Sequence, residues 1–155
     1  MTQTLKSTWS KLDVPIVVIL ALTLAACASM GGGRDEAKIE EALKASVEAF
    51  NGDIKWEDYQ GASSFQPADK KGEFWAEMDR FKGKIRIVEY QLREVEFKAK
   101  SCSATAILSF QYWRTDAPTI RTVTLNQKWY FIEKERQWKV LDSGFGAITK
   151  PRPSL

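Results

Sequence analysis

An α+β fold is predicted, with N-terminal helices packed on a curled antiparallel sheet and a short export helix ahead of them. Three observations carry this. Apolar residues recur at helical spacing between residues 34 and 81, they alternate with period two between residues 84 and 142, and the two regimes do not interleave. Helices followed by strands are the order of an α+β chain, whereas a parallel α/β sheet alternates them. With 155 residues there is room for one domain and not for two catalytic ones.

The first element is the export segment. Residues 1–13 are polar and carry Lys6 and Lys11, and residues 14–28 run almost without a polar group. A helix of that length rises roughly 22 Å against a hydrocarbon core of about 30 Å, which is short for a span. A basic start, an apolar middle and a small-residue ending are the three parts of a secretory signal. The ending, Leu24-Ala25-Ala26-Cys27, resembles the lipobox of bacterial lipoproteins. That resemblance implies cleavage between Ala26 and Cys27, with residues 1–26 removed and Cys27 acylated. Ala28 in place of an Asp after the Cys resembles the enterobacterial pattern for delivery to the outer membrane, and implies a periplasm-facing domain. Residues 27–33 then read as the lipidated Cys and a flexible Gly-rich tether, followed by a domain over 34–148 and a disordered tail over 149–155.

Within the domain, Ile39, Leu43, Val47 and Phe50 fall on one helical face, with Asp35 and Glu36 at its positive end and Asn51-Gly52 as its stop. Residues 53–59 read as a further turn or two of helix carrying Trp56 and Tyr59, and Gly61-Ala62-Ser63-Ser64 breaks the chain. After Pro67 a third helix has Phe74, Met78 and Phe81 in register beside Trp75, and Gly83 ends it. The strands begin at Lys84. Ile85 and Ile87 share a face, the phase moves to Val88, Tyr90 and Leu92, and it moves back at Val95, Phe97 and Ala99. Two phase shifts in one run predict two β-bulges, which bend a strand and let a sheet curl. A second strand over residues 103–114 puts Ala104, Ala106, Leu108, Phe110 and Tyr112 on one side, with Ile107 and Trp113 on the other. Asp116-Ala117-Pro118 turns the chain. A third strand over 120–133 aligns Val123, Leu125, Gln127, Trp129 and Phe131, and a charged hairpin over 133–136 leads into Trp138-Lys139-Val140-Leu141-Asp142.

Composition excludes more than it assigns. The chain has no His, so Ser-His-Asp and Cys-His catalysis, His-ligated zinc or haem and an imidazole pH switch are all unavailable. No metal site and no cofactor are expected. A formal charge of +3 is too small for a dedicated nucleic-acid binder. Of two Cys, the lipid consumes one, which leaves Cys102 unable to form an intramolecular disulfide and expected to be at least partly buried at a strand-to-strand corner.

The element order, and the run from Gln127 to Asp142 with its aromatic strand, charged turn and Trp-Lys-Val strand, resemble the nuclear-transport-factor-2-like, or cystatin-like, superfamily over residues 35–146. The resemblance implies a cone-shaped α+β roll wrapped around a long N-terminal helix. It settles no activity, because that superfamily holds isomerases, dehydratases and polyketide cyclases beside noncatalytic binders. Members similar to the cyclases use an Asp-His pair that this chain cannot supply. An isomerase-like reading would need a carboxylate opposite an oxyanion stabiliser, for which Glu89, Asp142 and Tyr130 are the residue types present.

The expected function is therefore noncatalytic: a lipid-anchored domain that binds a protein partner or a small apolar ligand in an envelope assembly. The alternative is a lipid-anchored carrier or a His-free isomerase or hydratase using the cone. Trp75, Trp113, Gln127, Trp129, Phe131 and Trp138 are the candidate cavity or interface residues, with Asn126 beside Gln127. Arg80, Lys82, Lys84 and Arg86 form a basic run, read either as an anionic-surface contact or as a solvated strand edge. A homodimer through the open sheet face is a third arrangement.

Overall fold

In a computed structural model the described residues are 32–149, with side chains described from residue 36 and Ala99 excepted. The export segment, Ala26, Cys27 and the last six residues lie outside them. The chain divides into two compact units at Lys38 and Ile39, and the packing below is that of the second. No helix among the described residues is long and apolar enough to cross a membrane.

Helix α1 spans Gly32–Lys55. It runs straight through Asn51-Gly52, against expectation. Asn51 is a poor interior helix residue when exposed, because its side chain competes for backbone groups. Here it is fully buried and its Nδ2 donates to the Val47 carbonyl at 2.7 Å and to Gln127 across the core. The helix ends instead at Lys55, and Glu57 just beyond it takes a left-handed φ of 62°. Leu43, Val47, Phe50 and Ile54 form its buried stripe.

The expected break at Gly61-Ala62-Ser63-Ser64 is largely helical. Asp58 caps α2 (Tyr59–Ser63) by accepting the Gly61 N–H at 2.9 Å. A Cβ on Gly61 would stand 2.7 Å and 2.8 Å from the Asp58 and Asp53 carboxylate oxygens, so a side chain there would displace those carboxylates, and this glycine lies within the helix and does not end it. Burial, and then the nearby Asp58, push the Asp53 carboxyl above its ordinary range. A short 3-10 turn over Ala68–Lys70 leads into α3 (Lys71–Phe81), which buries Phe74, Met78 and Phe81 as its spacing predicts. Gly83, at φ 72°, ends that segment.

Four antiparallel strands follow in the order β1-β2-β3-β4: Ile85–Lys98, Ser103–Arg114, Ala117–Ile132 and Gln137–Asp142. The sheet is curled and unclosed. Its β1–β2 register slips between Ile87 and Glu89 and again between Leu92 and Glu94, so the extra residues are Val88 and Arg93. Both bulges stand where the alternation changes phase, and Tyr90, Leu92, Val95 and Phe97 all pack on the core. Val88 belongs to the bulge and not to the inner set, and it is exposed. The Tyr90 hydroxyl donates to the Glu48 carbonyl at 3.0 Å and ties edge strand β1 to α1. Burial first, then the Glu48 side chain and the Asp53 charge, push its pKa up to about 12.

The other edge, β4, is covered by the segment before α3. The Val140 N–H donates to the Phe65 carbonyl at 2.9 Å and Lys139 Nζ to the Ser64 carbonyl at 2.8 Å. Covering an edge in this way removes a template for strand addition. After β4 comes α4, Gly146–Thr149, where a disordered tail was expected from Thr149. Phe145 and Ile148 are core residues there, and the ring centroids of Phe145 and Phe81 lie 5.5 Å apart.

Candidate functional site

The inner face of the sheet is filled. Four of the six expected cavity or interface residues are spent on this packing. Trp129 is 1% exposed and meets Phe50 edge-on at 5.7 Å and Phe65 at 6.2 Å. Phe131 packs on Trp138 at 5.3 Å, and Trp138 Nε1 donates to the Ile39 carbonyl at 3.0 Å. Gln127 is fully buried and forms a reciprocal amide pair with Asn51, its Nε2 donating at 2.8 Å and its Oε1 accepting at 3.1 Å. Gln127 therefore lines no open cavity, because its hydrogen-bonding groups are turned on α1. Tyr59 Oη and Trp129 Nε1 are sealed in without a hydrogen bond to any described residue.

The remaining two lie elsewhere. Trp75 is 38% exposed on α3 and leans edge-on against Phe74 at 5.6 Å. Trp113 is half-buried on the outer sheet face, in register with Arg86. Asn126 is exposed on the same outer face, opposite Ile107.

The basic run does not form one stripe. Arg80 sits in the last turn of α3 with its Nε on the Ala76 carbonyl at 3.1 Å, Lys82 and Lys84 are exposed beside the Gly83 turn, and only Arg86 is in a strand. Arg86 is ion-paired with Glu57. The period-two spacing of these four residues crosses a helix end and a turn, where it has no strand meaning.

Glu89, Asp142 and Tyr130 are not brought together. Glu89 is exposed on β1, Tyr130 is half-buried on the outer face of β3, and an Asp142 oxygen accepts the Gly144 N–H at 3.0 Å. Cys102, at φ 45°, is partly buried, with its thiol 3.5 Å from a Glu133 carboxylate oxygen. That hydrogen bond, first, and burial raise the thiol pKa, which disfavours the thiolate that redox chemistry requires. Among the described residues no three His, Cys, Asp or Glu side chains gather to hold a metal.

What the alternation did not reveal is a cleft of about 510 Å³ between α3 and the end of β4. Glu77 stands in it, its Oε2 accepting the Ser143 hydroxyl at 2.8 Å, while Ser143 Oγ accepts the Phe145 N–H at 3.2 Å. Gly144, at φ 72°, makes this turn possible, since a Cβ would press the Asn126 carbonyl at 3.2 Å. Burial pushes the Glu77 carboxyl above its ordinary range, Asp142 adds to the rise, and Ser143 and Arg80 temper it. Lys70, also on the cleft, is occupied by Glu73 at 2.9 Å.

Gln66 completes the site. It is 7% exposed, lines this cleft and a second one facing Tyr130, and its side chain makes no hydrogen bond to any described residue. A Gln before a Pro, between two helices, carries no sequence signal of burial.

Comparison with family models, with curated proteins and with solved structures finds no significant match to this chain.

Proposed function

We propose that this chain is a noncatalytic, lipid-anchored outer-membrane protein whose periplasmic domain docks a protein partner. The observation that carries the reading is the packed inner face, where among the described residues the Asn51–Gln127 pair and the rings of Phe50, Phe65 and Trp129 are spent on one another. A fold with helices on a curled sheet often encloses a ligand. When its interior is packed, recognition moves to the surface, and this favours the docking reading over the carrier.

The absence of His and the separation of Glu89, Asp142 and Tyr130 support a noncatalytic role. The element order and the two bulges of β1 are consistent with the cone-shaped roll of the nuclear-transport-factor-2-like superfamily. Anchoring rests on Leu24-Ala25-Ala26-Cys27 following an apolar stretch too short to span. Several buried acyl chains at ~0.8 kcal/mol per CH₂ hold such a protein on a membrane.

Cell fractionation after globomycin, and of Cys27→Ala, tests the anchor. Accumulation of the uncleaved precursor is expected, and a mature-sized, membrane-bound protein under either condition defeats it. Photo-crosslinking across the surface in intact cells, followed by mass measurement of adducts, tests the partner. A discrete protein adduct is expected, and a surface that yields none defeats the docking reading.

A further inference from the structure

We propose that the cleft between α3 and the end of β4 takes a lysine or arginine side chain presented on an extended stretch of the partner. The inference rests on the docking reading above and names its site. At about 510 Å³ the cleft has room for a side chain together with a short piece of backbone.

Two groups in it are poised for those two parts. Gln66 is more than nine-tenths buried with no hydrogen bond to any described residue, and its amide is not among the sealed-in unpaired atoms, so it opens onto the cleft. Its donor and acceptor match the acceptor and donor of a peptide group. Glu77 supplies the second part. Ser143 occupies one of its oxygens, and the other is available for a charge-assisted bond.

The surrounding charges favour a cation. Three acidic side chains, Glu73, Glu77 and Asp142, line the cleft with two basic ones, Lys70 and Arg80, which leaves one negative charge in excess. Lys70 is paired with Glu73, and Arg80 is hydrogen-bonded to the Ala76 carbonyl of its own helix while its charge acts on Glu77. Leu141, 50% exposed at the rim, and the buried Phe74 offer apolar surface to the methylene stem of a long basic side chain.

Binding of fluorescein-labelled, end-capped pentapeptides to the full chain in detergent, read by anisotropy, tests this. One peptide carries a central lysine among alanines, and a second carries norleucine at that place. The lysine peptide is expected to bind at least about tenfold tighter. Glu77→Gln keeps an acceptor for Ser143 and is expected to abolish that preference while leaving the norleucine peptide unaffected. Gln66→Ala is expected to weaken both peptides alike. Equal binding of the two peptides to the parent chain, or a preference that survives Glu77→Gln, overturns the proposal.

A photo-crosslinking residue at Leu141, and separately at Trp56 and Ile120, divides the two readings in cells. An adduct at Leu141 that Glu77→Gln removes supports the cleft. Adducts from Trp56 or Ile120 alone leave docking standing and overturn the cleft. No adduct at any of the three defeats the docking reading, while the peptides still judge the chemistry of the cleft.

Discussion

The inner face of the sheet and the cleft beside β4 both bury carboxamides, and they treat them in opposite ways. Inside, Asn51 and Gln127 exchange two hydrogen bonds and Asn51 adds a third to Val47, so the polar groups are satisfied within the fold. In the cleft, Gln66 is nearly as buried and bonds to no described residue. A buried amide that is paired specifies the packing of its neighbours, whereas one left open keeps its hydrogen-bonding capacity for something else.

The comparison breaks most visibly at the ring cluster. Phe50 meets Phe65, Phe74, Trp129 and Phe145 within 6.5 Å, so Phe50→Ala opens a cavity among aromatics that cannot collapse. A loss of about 3–5 kcal/mol is expected in urea denaturation. A loss under 1 kcal/mol would mean that the inner face is not packed as described.

The amide pair comes next. Gln127→Leu strands the Asn51 carboxamide in the core and is expected to cost about 2 kcal/mol, part of which the double variant Asn51→Leu/Gln127→Leu recovers. Additive single effects would show that the pair is not a unit.

Glu77 gives a smaller and pH-dependent effect. Its folded-state pKa is raised above the ordinary 4.5, so between those values the folded chain binds more protons than the unfolded one, and stability falls as pH rises through that window. Glu77→Gln is expected to remove this slope and to raise the melting temperature slightly at neutral pH, with no gain below the ordinary value. An unchanged slope in thermal melts from pH 4 to 7 would count against a desolvated Glu77. Smaller than the Gln127→Leu loss is that of Gln66→Ala, expected at about 1 kcal/mol, because buried methylenes go but no hydrogen bond to a described residue is lost. If it costs as much as Gln127→Leu, Gln66 belongs with the inner pair and the contrast disappears.

The strands were the most legible part. In β2 the inner set Ala104, Ala106, Leu108, Phe110 and Tyr112 is buried to the last member, and the β1 bulges fall at the phase changes. A period of two follows from the pleat alone, so one inserted residue shows as a flipped phase. Helix ends were less legible. Asn51-Gly52 reads as a stop until Gln127, on β3, gives Asn51 a partner inside the helix. Residues 61–64 read as a break, and Asp58 caps a short helix through the Gly61 N–H.

Local order in this chain follows from spacing: which residues are helical, which alternate, and where a strand bends are matters of neighbours within a few positions. The absence of His likewise removes whole classes of chemistry without any structure. The fate of each polar side chain is not local. Gln127 stands in an apolar row as a candidate cavity or interface residue, and its partner, Asn51 on α1, is 76 positions away. Gln66 and Glu77 carried no pattern, and folding brings them to one cleft from a loop and a helix, with Ser143 delivered by a turn that Gly144 permits. Hydrogen bonds are short and directional, so only the folded chain sets which of these groups find each other and which stay open.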